Sequence, residues 1–76
     1  MKTEEEWVMH AQGLLKAALK QRHVTYKQLA EKLKDFGVED SAPNIANKIS
    51  RGGFSAVFFL QCLAAIGCTS LRIDID

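Results

Sequence analysis

Helix punctuation recurs four times along this chain, and the intervals fix how long each helix can be. Thr3 followed by Glu6 is a capping box, in which each side chain satisfies an orphan backbone N–H at a helix start. Thr25 with Gln28 forms a second box, and Val24 with Leu29 stands at hydrophobic-staple spacing. Pro43 marks a third start, because proline fits the first helical position and pushes Ala42 into a cap-like conformation. Ser55 is a good N-cap for a fourth, with Phe54 and Phe59 at staple spacing. Gly37, the pair Gly52-Gly53, and Gly67 supply the stops. The punctuation predicts helices over about 4–22, 26–36, 43–50 and 56–66.

The apolar residues follow that division. Trp7, Val8, Ala11, Leu14, Leu15, Ala18 and Leu19 recur at helical spacing, and Leu29, Ala30 and Leu33 do the same in the second segment. The fourth segment, AVFFLQCLAAI, is apolar nearly all round, and such a helix must be covered on more than one side. A chain of 76 residues buries only ~60% of the surface its unfolded form exposes, so cover from a second copy is expected. The tail changes period: Leu71, Ile73 and Ile75 alternate with Arg72, Asp74 and Asp76. That alternation predicts a half-buried strand over about 70–75. The chain offers no second strand, so the expected partner is the same strand of a neighbouring subunit. A frayed tail with Leu71 tucked into the core is the alternative. The expected homodimer interface comprises Phe58, Cys62, Leu71, Ile73 and Ile75.

Length describes one domain spanning residues 1–76, and the caps and periodicities make it all-α, a four-helix unit with a short C-terminal β-strand. No apolar run approaches the ~18 residues of a membrane span, and MKTEEEWV lacks the basic-then-apolar order of a signal peptide. A cytoplasmic protein is expected. Net charge is only +1, but its distribution is uneven. Between Trp7 and Ile73 nine Lys and Arg face Glu31, Asp35, Glu39 and Asp40, a net of +5. A basic body with acidic ends is compatible with polyanion binding, as it is with a solvated helical surface.

The third segment carries the most chemistry. In NIANKISRGGF, Ile45, Ala46 and Ile49 turn one way, which sets Asn44, Asn47, Lys48 and Arg51 on the outer face. Asn pairs bidentately with the adenine edge and Arg or Lys with guanine, and the cations equally hold phosphates. Asn is a poor helix former, and two among eight residues is an odd choice for solubility alone. Capping or bracing the preceding link is the structural alternative for Asn44 and Asn47.

The stretches VTYKQLAEKL, NIANKISRGG and AVFFLQCLAAIGC resemble the lambda repressor and Cro type of bacterial helix-turn-helix domain. That type shows a "T…LA…L" helix, an "IS…G" recognition-helix end and an "L…LA…LG" closing helix. The resemblance covers about residues 10–67. The chain looks closer still to a small bacterial family of domains without an assigned function, which carries the WVxHAxxLLKxxL and NIANKISRGGF phrases over about residues 7–73. The repressor-like resemblance implies sequence-specific binding of double-stranded DNA by a small dimeric transcriptional regulator. It also implies that Thr25, Tyr26, Lys27 and Gln28, at the second helix's N-terminus, abut the DNA backbone. One departure is the link GVEDSA, six residues where the usual turn has about 3–4. Its Glu39 and Asp40 are expected to repel phosphate.

Catalysis finds no foothold in the sequence. His10 and Glu6 are four apart but lack a third ligand, so no metal site is expected. Cys62 lies in an apolar helix, which makes it inert rather than nucleophilic, and Cys62 and Cys68 have no metal-ligand spacing. Neither an enzyme nor a cofactor is expected. The rival to DNA binding is a protein-interaction module working through the fourth helix and the tail. DNA binding requires Lys27, Lys48 and Arg51 to converge with no acid between them.

Overall fold

A computed structural model describes residues 2–73. Its four helices are α1 (Glu4–Gln21), α2 (Tyr26–Lys34), α3 (Ala42–Arg51) and α4 (Ala56–Ala65). Both capping boxes form. The Thr3 N–H donates to Glu6 Oε1 at 3.0 Å and the Thr25 N–H to Gln28 Oε1 at 2.9 Å, and each threonine hydroxyl accepts in return. Ser55 caps α4 by accepting from the Phe58 N–H at 3.0 Å.

α3 starts one residue earlier than Pro43 suggests. Ser41, not Ala42, is the N-cap, because its hydroxyl accepts the Asn44 N–H at 3.2 Å. Alanine has no acceptor to offer there, and the hydrogen bond outweighs the bias that proline imposes on its predecessor. Gly37 closes α2 in the left-handed region (φ +76°), with the Val38 N–H returning to the Leu33 carbonyl at 3.0 Å. His23 does the same for α1 without being glycine (φ +56°), and the Val24 N–H reaches Leu19 O at 3.0 Å.

α1 and α2 each pack against both α3 and α4. The core gathers Leu15 and Leu19 of α1, Leu29 and Leu33 of α2, Ile45 and Ile49 of α3, and Phe58, Cys62 and Leu63 of α4. At about 1.5–3 kcal/mol per fully buried aliphatic side chain, this cluster is the main stabilising term of the fold. The first two turns of α1 lie beyond it, so Trp7 is 40% exposed instead of continuing the buried stripe.

Two expectations about self-association are corrected. Phe58 and Cys62 are buried in the chain's own core, because their four-residue spacing puts both on the side of α4 that meets α1 and α2. The side turned to solvent carries Val57 and Leu60, each 64% exposed. The strand expected over about 70–75 is absent among the described residues: 70–73 are irregular and exposed. A ladder needs a second backbone to pair with, and the chain provides none. Instead the Cys68 thiol donates to the Ser70 carbonyl at 3.2 Å, and Leu71 and Arg72 border a crevice beside Leu14 and Ala18 of α1 and its C-cap Arg22. Ile75 and the end of the expected strand lie outside the described residues.

Candidate functional site

Ile45 and Ile49 are fully buried, and that anchoring fixes which way α3 faces. Asn44, Asn47, Lys48 and Arg51 turn outward as the spacing predicts, and all four are exposed. They line one groove of about 460 Å³, completed by Gly52, Gly53, Phe54, Ser55 and Phe58. The aromatic wall is ordered: Phe54 stacks on Phe59 with ring centroids 5.8 Å apart and tilts against Phe58 at 5.9 Å.

α1 holds the far end of α3. Gln12 Nε2 donates to the Ser50 carbonyl at 2.7 Å, satisfying a helix-end acceptor across 38 positions of sequence. Gly52 follows at φ +68°, ψ −164°, a region open essentially to glycine alone. A Cβ at Gly52 would overlap Val8 Cγ1 of α1. Glycine is therefore required there twice over, by backbone conformation and by close approach.

The link places an acid directly at this face. Asp40 Oδ2 accepts from Lys48 Nζ at 2.6 Å, and Asp40 Oδ1 accepts the Ser41 N–H at 3.1 Å. The Asp40 side chain is 11% exposed and that of Lys48 51%. Lys48 above all, then Asn44 and Ser41, hold the Asp40 carboxyl below its ordinary range against the opposing effect of desolvation. The Lys48 ammonium also lies 5.1 Å from the Phe58 ring centroid. Asp40 thus engages a groove cation directly, and Lys27 lies outside the groove, so Lys27, Lys48 and Arg51 do not converge free of acid as the sequence reading required of a DNA-binding face. Arg51 has no ion-pair partner among the described residues. It also borders a second crevice with Glu4, Glu5, Val8 and Met9.

The N-terminus of α2 is a separate place. Thr25 and Gln28 spend their oxygens on the capping box, Tyr26 is half-buried against the core, and Lys27 is exposed. None of these four lines the α3 groove. Thr25 and Tyr26 instead share a surface depression with Lys16, Lys20 and Val24. The two α1 lysines are invisible as a cluster in the sequence, where they read as a solvated stripe. The short α1–α2 connection brings them to the start of α2, and a four-residue connection is the signal that a sequence reading can use.

Elsewhere, His10 meets Trp7 edge-on at 6.2 Å, and its Nε2 is buried without a hydrogen-bond partner. Burial pushes the Cys62 thiol up to about 11. Among the described residues no three His, Cys, Asp or Glu side chains gather in a metal-ligating group, and no helix is long and apolar enough to cross a membrane.

Comparison with known proteins supplies the family. Residues 7–71 match the family described as "Domain of unknown function (DUF6471)", and the chain belongs to it. No curated protein and no solved structure matches the chain.

Proposed function

We propose that this DUF6471 domain binds double-stranded DNA sequence-specifically, as a small dimeric transcriptional regulator of the helix-turn-helix class. The observation that carries the reading is the groove of α3, where two carboxamides and two cations share one exposed face backed by two buried isoleucines. Asn47 and Asn44 are suited to adenine edges, Arg51 and Lys48 to guanine or to phosphate. α2 would lie across the backbone, with Lys27, Lys16 and Lys20 as its cationic flank. Two copies related by a two-fold axis would set their α3 helices about 34 Å apart, on successive major grooves. Val57, Leu60, Leu71 and Ile73, exposed apolar residues of α4 and the tail, would form that axis.

Selection of bound sequences from random duplexes, followed by a salt series on the winner, tests this reading. The expected result is a recovered near-palindrome whose log affinity falls with log salt by about 0.9 per phosphate contacted. Affinity indifferent to salt between about 50 and 200 mM overturns it. Sedimentation tests the dimer, and a monomer at protein concentrations of about 100 μM excludes it. One observation favours a second reading, a protein-interaction module: Val57 and Leu60 expose apolar surface on α4, away from the groove. Duplex binding that is absent while Leu60→Ser abolishes association with another protein would select that reading.

A further inference from the structure

The ion pair at the groove raises a problem for any polyanion that docks there. Lys48 is central to the outer face of α3, yet its ammonium is already engaged by Asp40 at 2.6 Å. Asp40 is not a loose neighbour. Its second oxygen is tied to the Ser41 N–H, Ser41 in turn caps α3, and the carboxylate is largely covered. The acid is thus held beside the helix start by two hydrogen bonds, one to Lys48 and one to the Ser41 N–H.

We infer that Asp40 is a specificity-determining positioning residue, which aims Lys48 at a neutral base edge and withholds it from indiscriminate contact with phosphate. The inference rests on the DNA-binding reading of the α3 groove. An ammonium has three donors; the carboxylate takes one, and the Phe58 face lies against the same group. A phosphate gripping Lys48 at the usual ~2.8 Å would share the ammonium with a carboxylate already held at 2.6 Å. Two anions on one cation repel, so the phosphate contact loses much of its value. Guanine O6 and N7 are acceptors without net charge, and they meet the remaining Lys48 donors without that penalty. The pair Lys48–Asp40 thus behaves toward a ligand as an oriented dipole rather than as a free cation. Arg51, unpaired among the described residues, is left as the unmasked cation of the groove.

Asp40→Asn is the direct test, because the asparagine side chain keeps an oxygen that can accept the Ser41 N–H while the charge is removed. Affinities of the wild type, D40N, K48Q and D40N/K48Q are measured for a random-sequence duplex and for the selected duplex across a salt series, with thermal melts as the folding control. D40N should bind the random duplex up to about fivefold more tightly, the equivalent of releasing one exposed ion pair. Its salt slope should steepen by about 0.9, one added phosphate contact, and its ratio of specific to non-specific affinity should fall. The double variant should show no steepening over K48Q alone, and Asp40→Glu should restore much of the wild-type slope. An unchanged slope and affinity in D40N overturns the role given to Asp40 and leaves DNA binding standing. Equal gains on both duplexes also overturn it, since they reduce Asp40 to a general brake. Failure of every variant, wild type included, to bind either duplex removes the DNA-binding reading and this inference with it.

Discussion

α3 and α4 have the same length and the same kind of cap, and they solve the problem of a half-buried helix in opposite ways. Each has 10 residues behind a serine whose hydroxyl holds the N–H of the helix's third residue. Each buries one side in the same core. Beyond that side α3 turns two carboxamides and two cations to solvent, whereas α4 shows Val57 and Leu60. Sharp amphipathicity fixes the rotation of α3 and leaves its outer face free to carry chemistry. α4 has no such contrast, so neighbours decide its rotation, and its outer face is left apolar at Val57 and Leu60.

The sharpest way to break the comparison is to cut the inner side of α3. Ile49→Ala should cost about 2–5 kcal/mol in denaturant unfolding, since Ile49 is fully buried. Leu60→Ser on the outer side of α4 should stay within about ±0.5 kcal/mol for a monomer. A larger and concentration-dependent loss for Leu60→Ser would show that a second copy covers this face, which sharpens the contrast. Gly52→Ala comes next. Overpacking against Val8 alone should destabilise by about 1–3 kcal/mol, and the strained backbone adds to it. Gly53→Ala, where a Cβ meets nothing within 4 Å, should show only the backbone part of that cost.

Asn47→Ala should leave the melting temperature nearly unchanged, and under the proposed function it should cost about 1–3 kcal/mol on the preferred duplex. A sharp fall in melting temperature with base preference intact would make Asn47 a brace. pH separates the two helices more gently. Cys62, on the inner side of α4, binds its proton more tightly in the fold than its ordinary value of 9.0 allows, up to about 11. The unfolded chain therefore releases that proton first, and stability that is level below pH 9 should decline between about 9 and 11. Cys62→Ala should flatten this alkaline limb. Asp40, beside α3, has the opposite sign: Lys48 holds its carboxyl below the ordinary 3.8. Its contribution is full above that value and fades as acid titrates the folded carboxyl. Thermal melts of D40N against wild type over the acid range should show this small effect.

Much of the fold is legible because its signals are local. The capping boxes at Thr3 and Thr25, the Ser55 cap and the buried faces of α2 and α3 all depend on residues within one or two turns. Ser41 was overshadowed by Pro43, since proline's fixed backbone announces a helix more loudly than a serine hydroxyl two residues earlier. The inward side of α4 was not legible, because AVFFLQCLAAI presents apolar residues in every direction and only contact with α1 and α2 selects Phe58 and Cys62. The alternation of Leu71 and Ile73 suggested a strand, yet a period of two has no meaning without a backbone to pair with. For the groove, the four outward side chains of α3 were readable from spacing. The partnership of Lys48 with Asp40 was not, because it spans eight positions and depends on the path of the link. Gln12 meeting Ser50 is further still from sequence reach.

The two cysteines, one buried and one half-buried, give the molecule a built-in clock. A thiol reagent reaches Cys62 only when the core opens, so the rate of its labelling measures the frequency of large-scale unfolding. Cys68 sits just past α4 with its thiol directed at the Ser70 carbonyl, and loosening of the tail suffices to release it. The ratio of the two labelling rates reports, within one polypeptide and from its native cysteines alone, how far loosening around Cys68 is uncoupled from opening of the core.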